Sequence, residues 1–196
     1  MHGLLFWISI QILSETPTKV GLFWYCKRFY DGDVKNDMAM SDKGGEYMLR
    51  ELTDTKLMKL GIRAIDWQDA IRQAAQPLVD QSRIRESYVE DIIQGVRDYG
   101  PYIVLTKNVA LPHARPEAGA LQDAIGIATL ETPVNFGNRD NDPVKYLFCL
   151  SATDDEKHLA GLAQLAELLE DRNFLNILDH ARTPDEIIAY LDKLDC

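Results

Sequence analysis

The chain has 196 residues, 46% hydrophobic and 27% charged, with 31 acidic against 21 basic side chains and a formal net charge of −10. This suits one ordinary soluble domain with a sizeable core and excludes a general nucleic-acid binder, whose phosphate contacts need a basic surface. The three cysteines, Cys26, Cys149 and Cys196, stand far apart with no C-x-x-C pair, which excludes a disulfide framework and a cysteine zinc site and suits a reducing cytoplasm.

The chain opens on "MHGLLFWISIQIL". No basic residues precede this run, Gln11 interrupts it and no small-x-small cleavage site follows, so it does not read as a signal peptide. It is also too short to span a bilayer. Residues 1–47 cluster aromatics without a sustained helical or strand period. The codons for Lys43 to Glu46, "KGGE", can spell a bacterial ribosome-binding sequence just ahead of Met48. We expect translation to start at Met48 and residues 1–47 to be a translated leader; the alternative is a genuine, poorly structured N-terminal arm.

From residue 48 to 196 helices alternate with short strands. "GIRAI", Gly61 to Ile65, is branched and reads as a strand. Asp66 is placed to cap a helix whose Trp67, Ile71, Ala74, Ala75 and Leu78 fall at helical spacing. Pro77 is expected to kink or shorten its end. "ESYVEDIIQGVRDYG" repeats the pattern through Tyr88, Ile92, Ile93 and Val96, and Gly100 with Pro101 stops it.

"YIVLT" and "VALP" then read as two short strands, and "AIGIATLE" and "KYLFCLSA" as longer buried ones. Cys149, inside the last run, reads as a small buried hydrophobe. The segment between the long strands, "TPVNFGNRDNDPV", is a loop by composition. "DEKHLAGLAQLAELLED" is the clearest helix, with a stripe of Leu159, Leu162, Leu165, Ala166 and Leu169. A shorter helical piece, "NFLNILDHA", ends on His180, placed to meet the helix dipole. Thr183 and Pro184 open the last helix as N-cap and first helical residue. The expected fold is one α/β domain over 48–196.

Chemistry concentrates in "VALPHARPEAGA", Val109 to Ala120. Pro112 biases Leu111 toward an extended conformation, and Pro116 does the same for Arg115. His113 therefore sits just past a strand end, where α/β folds commonly expose their sites. A neutral imidazole is a nucleophile near neutral pH. If it accepts a phosphoryl group, cations and hydrogen-bond donors are needed around the oxygens. Arg97 and Arg115 are the candidate cations. His158 lies in the first turn of the clearest helix, where backbone amides favour an anion. His113, His158 and one arginine can enclose a phosphoryl group. Each also has a plain reading: a core histidine, a polar helix start, a solvated helical arginine, a surface pair of Arg115 with Glu117.

"VALPHARPEAGA", with "IDWQDAIRQAAQPLVD", "YGPYIVLTKNVALPHARPE" and "HLAGLAQLAELL", resembles the enzyme IIA proteins of the bacterial phosphotransferase system, mannitol–fructose type. "PHARPE" is most similar to the L-ascorbate branch. The resemblance implies a mixed β-sheet flanked by helices. It implies that His113 is the phosphorylated histidine, His158 the second active-site histidine and Arg97 the active-site arginine. A role for Arg115 is inferred from its position alone.

The implied function is phosphoryl relay. The phosphocarrier protein HPr donates to His113, which passes the group to a cysteine of enzyme IIB, and the membrane enzyme IIC releases phosphorylated sugar inside the cell. A separate cytoplasmic subunit is expected, with no cofactor, no metal and no nucleic acid. Two rivals stand beside it. One is a free regulatory, phosphorylation-dependent module of the same fold. The other is a metal-dependent hydrolase using His113, His158 and Asp154 or Asp155, which lacks metal-ligand spacing.

Overall fold

A computed structural model of the protein describes residues 49–194. The expected leader, with His2 and Cys26, and the terminal Cys196 lie outside the described residues. After a helical turn, α1 (Leu49–Leu52), and a 3₁₀ turn (Thr55–Leu57), the chain enters β1 (Met58–Ile62). Then follow α2 (Trp67–Asp80), α3 (Glu86–Tyr99), β2 (Val104–Thr106) and β3 (Val109–Ala110). A 3₁₀ turn (Pro116–Ala118) leads to the long strands β4 (Ala124–Val134) and β5 (Val144–Ser151). Three helices close the fold: α4 (Asp155–Glu170), α5 (Arg172–His180) and α6 (Pro184–Leu194).

The strands form one mixed sheet in the order β1-β4-β5-β3-β2. β4 pairs antiparallel with β5, β1 joins β4 in parallel, β3 joins β5 in parallel, and β2 is antiparallel to β3. The two central strands are apolar runs because both of their faces are covered. Successive side chains point to opposite faces. Ala124, Ala128, Leu147 and Cys149 thus join the core made with α2 and α3. Ile125, Ile127, Phe148 and Leu150 join a second core with Leu165, Phe174, Leu178, Ile187 and Leu191. The first face of β4 carries small residues because α2 lies close against it. A Cβ built on Gly126 would stand 2.8 Å from Leu78 Cδ1 and 3.2 Å from the Leu57 carbonyl oxygen.

Asp66 caps α2, its carboxylate accepting from the Asp69 amide at 2.8 Å. Several local boundaries differ from expectation: the strand expected from Tyr102 starts at Val104, and β4 runs on to Val134, into the segment read as loop. The first strand ends at Ile62 rather than reaching Ile65. Gly61, at φ +68°, breaks the register, and the Ile65 amide already donates to the Asp69 carboxylate, leaving Ile65 90% exposed. Pro77 lies inside α2, which continues to Asp80 because the next residue, Leu78, is fully buried against β4. As expected, the last helix opens on Pro184 with Thr183 at the N-cap position, its hydroxyl bonding the Glu186 carboxylate at 3.3 Å while that carboxylate accepts the Arg182 amide. No described helix is long and apolar enough to cross a membrane.

Candidate active site

The chain leaving β3 continues beside the C-terminal end of β5. Val109 and Ala110 pair with Tyr146 and Leu147, and the Leu150 amide donates to the Pro112 carbonyl at 3.0 Å. On its other side the Leu111 amide donates to the Ile103 carbonyl at 2.8 Å. Beyond the site, the 3₁₀ turn is strapped to the start of α3: Ser87 Oγ donates to the Ala118 carbonyl at 2.8 Å and the Arg85 amide to the Gly119 carbonyl at 2.9 Å. Gly119, at φ +135°, sits where a Cβ would come within 3.0 Å of Arg85 Cβ, so only glycine lets the strap close.

His113 is 4% exposed. Its Nδ1 lies 2.8 Å from the Leu111 carbonyl oxygen. A carbonyl only accepts, so Nδ1 carries the proton and the neutral ring keeps its lone pair on Nε2. Burial holds the imidazole below the ordinary histidine value of 6.5, partly offset by the bond to Leu111. The ring is therefore neutral and nucleophilic at neutral pH. The Tyr102 ring meets it edge-on, with centroids 5.7 Å apart and an interplanar angle of 89°, which restricts rotation of the imidazole.

The other expected site residues are placed less closely. His158 is in the first turn of α4, which begins four residues past Ser151, the last residue of β5. Since His113 runs beside Leu150, both histidines belong to the same end of the sheet. The loop before α4 is tied down by Asp123, whose carboxylate accepts the Thr153 amide and hydroxyl, each at 2.8 Å. Arg97 is exposed in the last turn of α3, five residues before Tyr102, and its side chain forms no hydrogen bond or ion pair with another described residue. Arg115 is exposed two residues past His113. His180 ends α5, its Nδ1 2.8 Å from the Asn176 carbonyl oxygen, away from the site. Cys149 is fully buried and reduced, and burial pushes its thiol up to about 12.

Two aromatic residues at the site escaped the sequence reading. Tyr102 read as the first residue of a strand, and Tyr88 as one more member of an apolar helical stripe. Tyr88 is 1% exposed, yet its hydroxyl reaches Ala114 and Leu150. A tyrosine rather than a leucine or phenylalanine at a core position was the one available sign, because a buried hydroxyl needs partners.

Residues 51–194 match the family model described as "Phosphoenolpyruvate-dependent sugar phosphotransferase system, EIIA 2". SgcA of Escherichia coli (strain K12), whose name assigns no sugar, is 37% identical over 138 residues, spanning 70% of this chain and 96% of that protein. The ascorbate-specific PTS system EIIA component of Shigella boydii serotype 4 (strain Sb227) is 34% identical over 143 residues, spanning 72% of this chain and 93% of that one. Among solved structures, that of the mannitol-specific cryptic phosphotransferase enzyme IIA CmtB from Escherichia coli superposes with a TM-score of 0.67 at 32% identity, covering 74% of this chain and 99% of that one.

Proposed function

The chain belongs to the EIIA 2 family of the phosphoenolpyruvate-dependent sugar phosphotransferase system, a family of phosphotransferase carriers, and from that premise we propose that His113 is its phosphoryl carrier. The observation that supports this is a buried, neutral imidazole whose Nδ1 is committed to Leu111, directing Nε2 to the reaction. The Nε2 lone pair attacks the phosphorus of phospho-HPr. The donor N–P bond breaks and its electron pair returns to the HPr imidazole. A thiolate of enzyme IIB then attacks the phosphorus, and the electron pair of the second N–P bond returns to Nε2. Burial and the Tyr102 ring restrict water at the intermediate, which is kept transferable only if it is not bound too tightly.

Arg97, His158 and Arg115 supply charge and donors around the phosphoryl oxygens in this reading. The start of α4 contributes its amide dipoles. The system is cytoplasmic on its carrier side and ends in an enzyme IIC that releases the phosphorylated sugar. The sugar is L-ascorbate; the support is the "PHARPE" stretch and the name of the Shigella relative.

Incubation of the full chain with phosphoenolpyruvate, enzyme I and HPr tests the relay by intact mass before and after mild acid. One acid-labile phosphoryl group mapped to His113 is expected. No added mass beside an active control enzyme IIA overturns the reading. For the sugar, the phosphorylated chain is offered to ascorbate-type and mannitol-type enzyme IIB. Faster transfer to the mannitol-type cysteine overturns the ascorbate assignment.

A further inference from the structure

The Tyr88 hydroxyl occupies a place that belongs to the β-ladder. In a parallel pair, one residue is bracketed by two bonds to a single residue of the neighbouring strand: one to that residue's amide and one from the chain to its carbonyl. Opposite His113 that residue is Leu150. The first rung is present, the Leu150 amide donating to the Pro112 carbonyl at 3.0 Å. The second rung of a regular ladder would run from the Ala114 amide to the Leu150 carbonyl. Here the Ala114 amide instead donates to Tyr88 Oη at 3.1 Å, and that hydroxyl stands 3.0 Å from the Leu150 carbonyl oxygen and 2.9 Å from the Ala114 carbonyl oxygen. One phenolic proton is shared between two carbonyl acceptors while the oxygen accepts the amide.

We propose that Tyr88 is a positioning residue for phosphoryl transfer at His113: its hydroxyl, inserted as a relayed rung between Ala114 and Leu150, splays the chain from β5 at His113 and sets where the imidazole stands. This rests on the reading of His113 as the phosphoryl carrier. The ring of Tyr88 is anchored in the core beside α2 and the sheet, so the hydroxyl is a rigid spacer. A spacer of one oxygen atom keeps the two strands from closing. Without it, the part-buried Ala114 amide and the buried Leu150 carbonyl lack this partner. They regain one by forming the direct rung, which draws His113 toward β5, or by admitting a water into the site. Either outcome disturbs the Nδ1 bond to Leu111 and the edge-on contact with Tyr102. Displacements of this size at a reacting group are costly in rate.

The test compares the full-length wild type with Tyr88→Phe, which keeps the ring and removes only the oxygen. Two readouts are taken: transfer rate from phospho-HPr, and the ¹⁵N shifts of the His113 ring, which report its tautomer. In the variant the rate is expected to fall at least about tenfold, with Tyr88→Phe still cooperatively folded. The ring is expected to pass from one tautomer, protonated on Nδ1, to a mixture. A merely structural tyrosine would lower the melting temperature and leave both readouts in place. An unchanged tautomer with a rate within about twofold of wild type overturns the proposal. Should the wild type take no phosphoryl group, the carrier reading fails, and the ring spectrum alone still judges the positioning. Should the variant not fold, the wild-type spectrum decides. A slowly exchanging Tyr88 hydroxyl proton with a cross-peak to the Ala114 amide supports the relayed rung, and a hydroxyl in fast exchange with water overturns it.

Discussion

The Nδ1 atom of His113 lies 2.8 Å from the carbonyl oxygen of Leu111, two residues back in its own chain. That contact assigns the proton, and with it the reacting nitrogen. Phosphorylation is expected on Nε2, giving the Nε2 isomer of phosphohistidine. Two-dimensional ¹H–¹⁵N spectra of the phosphorylated chain distinguish the isomers. A phosphorus coupling on Nδ1 would refute the assignment.

The same burial makes a pH prediction. The folded-state value of His113 is lowered below 6.5 by desolvation. The unfolded chain therefore binds this proton more readily than the folded one. The stability at stake is fully present above the ordinary histidine value and is lost as pH falls from there through the lowered folded value. Carboxylates titrate nearby, so the measurement is a difference. Urea unfolding of wild type and His113→Gln, from pH 8 down to pH 5, should show wild type losing more stability than the variant. Parallel curves would mean the ring is not held neutral by burial.

Among the described residues the Arg97 side chain makes no hydrogen bond or ion pair that its loss would break. Arg97→Gln should leave the stability within about 0.5 kcal/mol of wild type. Its transfer rate from phospho-HPr should fall about 100-fold if the guanidinium stabilises the transferring group. His158→Ala should likewise slow transfer and preserve the fold. A rate unchanged in both variants returns both residues to ordinary surface roles.

Gly126 is where α2 comes closest to β4. A methyl there meets Leu78 Cδ1 at 2.8 Å and the Leu57 carbonyl oxygen at 3.2 Å. Leu78 is itself fully buried, so its side chain has little room to retreat. Gly126→Ala should cost about 1–3 kcal/mol of unfolding free energy. A denaturant midpoint equal to wild type would show that the helix shifts freely.

Cys149 offers a check on the core. Its thiol is buried and raised to about 12, so almost no thiolate is present near neutral pH. Alkylation mapped to the Cys149 peptide should be slow in the folded protein and fast in denaturant. Rapid modification of the native chain would contradict the packing of β5.

Much of this fold was legible because its signals are local. The cap at Asp66, the stop at Gly100 and the stripes of α2 and α3 follow from neighbouring residues and the helical period. The paired long strands read directly as continuous apolar runs, and the strand-end position of His113 followed from the prolines at 112 and 116. The end of β1 was misjudged because the branched run through Ile65 looks like strand, while Gly61 and the Asp69 side chain had already turned the chain.

By itself, then, the sequence determined the α/β character, the place of a histidine just beyond a strand, and through its motifs the family. Only the tertiary structure decided which nitrogen of His113 carries the proton, that the ring is kept neutral, and that a tyrosine hydroxyl stands in for a rung of the sheet. The physical reason is separation along the chain. Periodicity and capping act over a few residues, whereas Tyr88 reaches Ala114 across 26 positions and Leu150 across 62. Burial and hydrogen bonding between such segments exist only once the sheet and α3 have packed together.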